Sequence, residues 1–404
     1  MTQYRFDSGR GHEREADKAS FFVSFARNHT RSRMWKKQEE CDKMVPSMFG
    51  GNLMTDKNLV AGEKSRIAEY DMIKGICIFL VAVMHTGHPV YFMEYGFLFA
   101  FFFVSGATFR RKPFGQFLKT KLLRIYVPFV LANFVGYFIG KFYYGLSGYG
   151  GYGFSFQDAA KRIFSFQIAE NIMSPSWFLL PMFLVVFLFY FLHWALDKLK
   201  YRDEILLGGS FVIFLVGLHF RQELAVVIWN KCSVLFALTY ALFFAALGYY
   251  YQNHPKVSGK ILEGKYAPGV FLVSVLDLNE IWSHYEYTLN IRYAETSSGI
   301  VTVFVSLVCV FVIVYLAKRM TGMPVLEKIF CLFGRNSLAI MLFHVICYGV
   351  VTVVLHYLTG WDYPATWAFG YYSEKISYAN ALAGLILPAT VAEGYAQLKK
   401  TITK

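Results

Sequence analysis

The 404-residue chain is 56% hydrophobic and 19% aromatic, and only 17% of it is charged, against about 25% in an ordinary soluble domain. That balance excludes a soluble fold, and apolar runs of roughly 16 to 22 residues recurring from Ile73 onward make the bilayer the solvent. The formal charge of +13 does not point to nucleic acid, because the basic residues are scattered between apolar runs and form no aromatic-interleaved patch.

Residues 1–65 are polar, charged and aperiodic, which predicts a mobile cytoplasmic extension. No basic, apolar leader with a small-residue cleavage site opens the sequence, so the first spanning helix is expected to direct insertion, and Met54 offers a second candidate start. Residues 66–398 read as an all-α polytopic domain of about ten transmembrane helices, at 71–88, 92–109, 122–145, 177–196, 205–220, 233–251, 267–283, 298–318, 331–356 and 377–396. The seventh carries Asp277 and Asn279, so it is expected to be broken or buried against neighbours. A short basic tail, 399–404, follows. One set of alternate connections holds 18 Lys and Arg and the other six, so the first set is assigned to the cytoplasm, together with both termini. The opposite connections are aromatic, including the Gly-Tyr run at 148–153 and the stretch from Trp361 to Tyr372; they serve as interfacial belts or as a sugar-stacking platform.

The six cysteines lie at 41, 77, 232, 309, 331 and 347, mostly inside apolar runs and with no CxxC pair. This predicts neither a disulfide framework nor a metal site.

The most informative segment runs from Glu69 to Pro89. Lys74 stands at its cytoplasmic mouth and His85 eleven positions further on. On an α-helix the two differ by about 20° in azimuth and about 16 Å along the axis, so they share one face. That spacing suits a donor whose anionic head stays in the cytoplasm while a thin arm carries a thioester inward, as in an acyl-coenzyme A. Lys74, with Arg110, Arg111, Lys119, Lys121 and Arg124, is a candidate to hold the phosphates. A neutral His85 is a candidate general base for an attacking hydroxyl; the blander alternatives are a snorkelling lysine and a packed histidine. His88 and Glu94 are candidates on the acceptor side, as are Asp277 and Asn290 with Arg292.

The run Tyr70-Asp71, Lys74-Gly75-Ile76 and His85, followed by Phe101-Phe102-Phe103-Val104-Ser105-Gly106, then Lys121-Leu122-Leu123-Arg124 and Pro128, resembles the acyltransferase 3 family of membrane O-acyltransferases, most closely its fucose 4-O-acetylase and Nod-factor acetyltransferase branch. Trp177-Phe178-Leu179 resembles the family's outer-leaflet approach to the fourth helix, and Gly334-Arg335-Asn336-Ser337-Leu338 leading to His344 resembles its late Asn-Ser-Leu and His helix. The resemblance implies a multi-pass enzyme of the cell membrane that takes an acyl group, acetyl by default, from cytoplasmic acyl-CoA to an extracytoplasmic or lipid-linked carbohydrate. It implies His85 as the catalytic residue, and Lys121 with Arg124 at the donor mouth. Lys74 stands where many members have Arg, keeping the charge without the bidentate fork. Trp177, Asn336 and His344 become substrate-side candidates; Asn336 and Ser337 are also expected helix caps, and Ser105-Gly106 a close helix contact. No permanently bound cofactor or metal is implied. Whether His85 acts as a base or is itself acylated in a relay is open. The competing class is a polysaccharide or small-molecule transporter, with Lys74, His85 and Asp277 lining a pathway.

Overall fold

The computed structural model describes residues 56–87, 90, 96–147, 154–169, 171–224, 233–284, 287–360 and 376–402. His88, Glu94, the Gly-Tyr run and the Trp361–Tyr372 stretch lie outside the described residues. Two compact units divide the chain, Met1–Leu59 and Val60–Lys404. Of the first, only residues 56–59 are described.

The second unit is an all-α membrane protein. Among the described residues, five helical stretches are long and apolar enough to cross a bilayer: Phe114–Phe142, Ile172–Ala195, Val234–Asn253, Gly299–Met320 and Ser337–Thr359. Helix α1 spans Asp56–Met84, beginning inside the segment expected to be aperiodic. It ends where its sequence dictates. Thr86 N–H and Gly87 N–H turn back onto the Val83 and Met84 carbonyls, and Gly87 takes φ +82°, a left-handed conformation open to glycine.

Helix α2, Phe97–Ala107, has eleven residues and so rises only about 16 Å. A basic connection leads to α3, Phe114–Lys121, which runs through a π turn at Leu122–Tyr126 into α4, Val127–Ser147. Pro128 accounts for the π turn: it has no N–H to donate back, and its ring crowds the carbonyl four residues earlier. Then come α5, Phe156–Phe164, a 3₁₀ segment, Asn171–Phe178, and α6, Leu179–Ala195, followed by α7, Arg202–His219, α8, Val234–Asn253, and α9, Pro255–Glu263.

Helix α10, Ala267–His284, is continuous, and Asp277 lies on its exposed face. The expected break or burial at the seventh span is therefore corrected: i→i+4 bonding carries the backbone past Asp277, whose side chain points away from the bundle. An antiparallel pair, β1, Leu289–Asn290, and β2, Glu295–Thr296, interrupts the helical series. Helices α11, Gly299–Met320, α12, Pro324–Arg335, α13, Ser337–Thr359, and α14, Ser377–Ile402, complete it. The expected span at 331–356 is corrected too. The chain breaks at Asn336, separating the half-polar α12 from the apolar α13.

Helix α2 packs most extensively on α8, and α13 on α14. Phe99 of α2 stacks on Phe244 at 4.7 Å, and Phe103 meets Tyr251 at 5.2 Å. Helices α1 and α12 touch backbone to backbone through Gly75 against Phe330 and Gly334 against Asp71. Tyr251 Oη donates to Glu69 Oε1 at 2.6 Å. The starts of the apolar part of α1, the ends of α2 and α8, and α12 thus share one end of the bundle.

Candidate active site

His85 sits in the turn that closes α1. Its Nδ1 lies 2.8 Å from the Val81 carbonyl oxygen, which can only accept. The Nδ1 atom therefore carries the proton, and in the neutral ring Nε2 keeps its lone pair. His344, fully buried on α13, repeats the arrangement, with Nδ1 2.8 Å from the Ile340 oxygen. Its Nε2 is buried without a hydrogen-bond partner among the described residues. The two rings meet edge to face, with centroids 5.0 Å apart. Tyr348, one turn beyond His344, donates from Oη to the Ala82 oxygen at 2.6 Å. That bond locks α13 onto α1 where the histidines face each other.

A cavity of about 340 Å³ opens against His85, walled by Phe101 and Phe178, by Trp177, and by Asn290, Arg292 and Tyr293 of the β-hairpin. Its lining is mostly apolar and aromatic, with a few convergent polar groups, as in small-ligand sites. Trp177 stands near the end of the 3₁₀ segment that leads into α6. The hairpin was not foreseen. It turns at Ala294, with φ +60°, and the Arg292 carbonyl accepts from Ser233 N–H at 2.7 Å. Arg292 Nη1 donates to Ser174 Oγ at 2.9 Å. Its guanidinium stands 5.8 Å from the Trp177 ring and 5.4 Å from that of Tyr293, and it lines the same cavity as His85.

Most of the basic candidates lie at the other end. Lys74 is on the same helix as His85, about 16 Å back along it, with Nζ 2.6 Å from Asp71 Oδ1. Arg110 and Arg111 follow α2, whose first turns wall the cavity; Phe101 and Arg110 are nine positions apart. Arg111 Nη1 is 2.6 Å from Asp197 Oδ2, and Arg202 Nη1 is 3.3 Å from the other carboxyl oxygen. The hydrogen bond and charge of Arg111 hold the Asp197 carboxyl below the usual carboxylate range. Lys121 lies 5.6 Å from the Phe117 ring, itself stacked on Tyr190 at 4.5 Å. Tyr190 Oη donates to the Lys112 oxygen at 3.0 Å, so Lys121 belongs to the same end. Arg124 is exposed on the π turn, a kind of irregularity frequent at functional sites.

Beside Lys74, between α1 and α12, lies a polar pocket of about 540 Å³ lined by Asp71, Glu327, Lys328 and Arg335 among others. Neither Lys328 nor Arg335 was among the donor-site candidates of the sequence, Arg335 entering there only within the Gly334–Leu338 run. Seven positions apart on α12, they share a face, and that spacing is the signal that could have found them.

Asn336 is elsewhere. It takes the N-cap position of α13 without a side-chain capping bond; its Nδ2 donates to the Leu332 oxygen at 3.0 Å and reaches Glu393 Oε2 at 3.4 Å. The expected cap is thus corrected, because the amide turns back toward α12. Asp277, exposed on α10, does not line the cavity. Among the described residues no group of three or more His, Cys, Asp or Glu could hold a metal ion.

Residues 67–373 match the family model of the acyltransferase domain, acyltransferase 3. The chain belongs to the acyltransferase 3 family. No curated protein and no solved structure matches it. As a member of this family, it is a membrane acyltransferase in the general sense, and the cavity against His85 is its candidate active site.

Proposed function

We propose that this acyltransferase moves an acyl group, acetyl by default, from cytoplasmic acyl-CoA to a hydroxyl of an extracytoplasmic or lipid-linked carbohydrate, with His85 as general base. The observation that carries the reading is the single helix α1, which joins a cation at one end of the bundle to an imidazole facing an aromatic cavity at the other. The enzyme lies in the cell membrane with about ten spans and both termini inside, as the Lys and Arg distribution supports. This orientation puts Lys74 and the Arg110–Arg124 cluster at the cytoplasmic face.

The donor's anionic head stays near Lys74, with Lys328 and Arg335 beside it, and its arm follows α1 toward His85. The acceptor stacks on Trp177, as sugars do on aromatic faces. His85 Nε2 takes the hydroxyl proton as the oxygen attacks the thioester carbonyl. The tetrahedral species collapses, the carbon–sulfur bond breaks, and the thiolate recovers the proton from His85. The pairing of a fixed Nδ1–H with a bare Nε2 suits this direct route, which needs a base in one tautomer. The fucose 4-O-acetylase-like branch supplies the acceptor class to try first.

The test is turnover by purified protein in liposomes, with labelled acetyl-CoA and a glycan panel. Acceptor-dependent label transfer with release of free thiol is expected. Donor binding and hydrolysis without transfer to any glycan would sink the carbohydrate assignment. Replacing Lys74 by Gln leaves Asp71 without its partner and removes a cation from the donor mouth. KM for acetyl-CoA is expected to rise about tenfold, in the range of a charge-assisted contact, with kcat little changed. A fall in kcat alone would place Lys74 in the chemical step instead.

Trp177→Ala removes the stacking face and one wall of the Arg292 cradle. The acceptor KM is expected to rise about tenfold or more, by analogy with the 1–3 kcal/mol of a base–aromatic stack, while the acetyl-CoA KM stays put. An unchanged acceptor KM would show that the sugar binds away from Trp177.

A further inference from the structure

Arg292 brings to the cavity a strong charge that general-base catalysis by His85 does not use. Arg292 comes from the β-hairpin, an element with no part in the helix that carries the base. Among the contacts that fix it are the Ser233 N–H on its own carbonyl at 2.7 Å, Ser174 Oγ on Nη1 at 2.9 Å, and the Trp177 and Tyr293 rings at 5.8 and 5.4 Å. A flexible cation aimed at solvent would need none of this.

A fixed guanidinium near a base is a cost while the site is neutral, because it opposes the positive charge that His85 acquires on taking a proton. It becomes an asset when a negative charge forms between the two. In acyl transfer that charge appears first on the former carbonyl oxygen of the thioester, before collapse passes it to the leaving sulfur. Interactions made there and not in the ground state are the ones that accelerate chemistry. A planar group with five N–H donors is well suited to receive such an oxygen.

We infer that Arg292 is a second catalytic residue, the electrostatic partner of the tetrahedral oxyanion. In this step the acceptor O–H proton passes to His85 Nε2 as the acceptor oxygen bonds to the carbonyl carbon. The π electrons move onto the carbonyl oxygen, which faces the guanidinium. Collapse returns them, breaks the carbon–sulfur bond, and lets the thiolate take the proton from the imidazolium. The inference rests on the acyl-transfer reading above and adds to it the source of oxyanion stabilisation.

The experiment compares native protein, Arg292→Ala, Arg292→Lys and Ser174→Ala in liposomes, with acetyl-CoA and a glycan that the native chain acylates. Thiol release gives kcat and both KM values, and acetyl-CoA binding and thermal unfolding are measured on the same samples. For R292A, kcat is expected to fall about 10²- to 10³-fold, the cost of losing one oxyanion donor, with both KM values within about threefold. R292K is expected to recover part of kcat, because it keeps the charge without the fork. S174A, which keeps the guanidinium, is expected to lose far less than R292A. A kcat for R292A within threefold of native, a loss confined to the acceptor KM, or a loss that follows falling thermal stability in R292A and R292K alike would overturn the inference. Failure of the acyl-transfer reading is distinguishable, because the native chain would then acylate no acceptor, and both would fall together.

Discussion

His85→Ala is expected to abolish acceptor-dependent acyl transfer, with kcat down by at least the 10²- to 10⁴-fold typical of a lost general base. Acetyl-CoA binding should survive, because the donor head would sit about 16 Å away along α1. The fold should survive as well: His85 lies beyond the last helical residue, and the bonds that close α1 come from the Thr86 and Gly87 backbone. His85→Gln is the sharper variant. An amide can still donate toward the Val81 oxygen but cannot take a proton at neutral pH, so Gln should be nearly as inactive as Ala. His344 offers an internal check. With its Nδ1 tied to Ile340 and its ring against His85, it is expected to act as a positioning residue, through His85. His344→Ala should cost less than His85→Ala, and the double variant no more than His85→Ala alone, the non-additivity expected of residues acting as a unit. Thiol release with the same acceptor reads all three. Full turnover in His85→Ala would remove it from the chemistry, and a further drop in the double variant would give His344 a role of its own.

Much of this site was legible in the sequence because one helix writes it in a single line. An α-helix has a fixed rise and rotation, so Lys74 and His85 could be set on one face before any neighbour was known. Trp177 was legible through its Trp-Phe-Leu context, and His344 through the run that precedes it. Contacts between elements were not. Nothing in the chain says that His344 faces His85, since that depends on how α13 crosses α1 and on the Tyr348–Ala82 bond that fixes the crossing. Arg292 was visible as a lone cation in a loop, but its position in the cavity follows from a hairpin of two-residue strands, too short to leave an alternating pattern. The break at Asn336 was hidden because Gly334 and Arg335 sit inside a run apolar enough to read as one span. Asp277 was misjudged for a different reason: its carboxylate was expected to be buried against neighbours, and which face α10 turns to the bundle depends on packing that the sequence does not show.

The largest expected effect on stability lies away from the chemistry, at the crossing of α2 and α8. A side chain built on Gly106 would put its Cβ 1.7 Å from the Ala245 carbonyl oxygen, and one on Gly248 would come within 1.9 Å of the Phe103 oxygen. Both obstacles are backbone, so no rotamer change relieves them. Two helices that meet at backbone distance also bring the Phe99 and Phe103 ribs of α2 against Tyr240, Phe244 and Tyr251 of α8; separating them loosens all of these contacts together. Gly106→Val is therefore expected to destabilise the protein by about 3 kcal/mol, the upper end of overpacking costs, and to lower thermal stability in detergent. Gly208→Ala on α7 is the control, since an added Cβ there meets nothing within 4 Å. It should be neutral or slightly stabilising, as the gain in helix propensity predicts. The two crossing glycines should also couple. Once Gly106→Ala has pushed the helices apart, a Cβ at Gly248 enters space already opened, so the double Ala variant should cost less than the two single variants added. Strict additivity would mean that α2 and α8 yield independently at the two points, and that the crossing is not the rigid frame that sets Phe101 against the cavity.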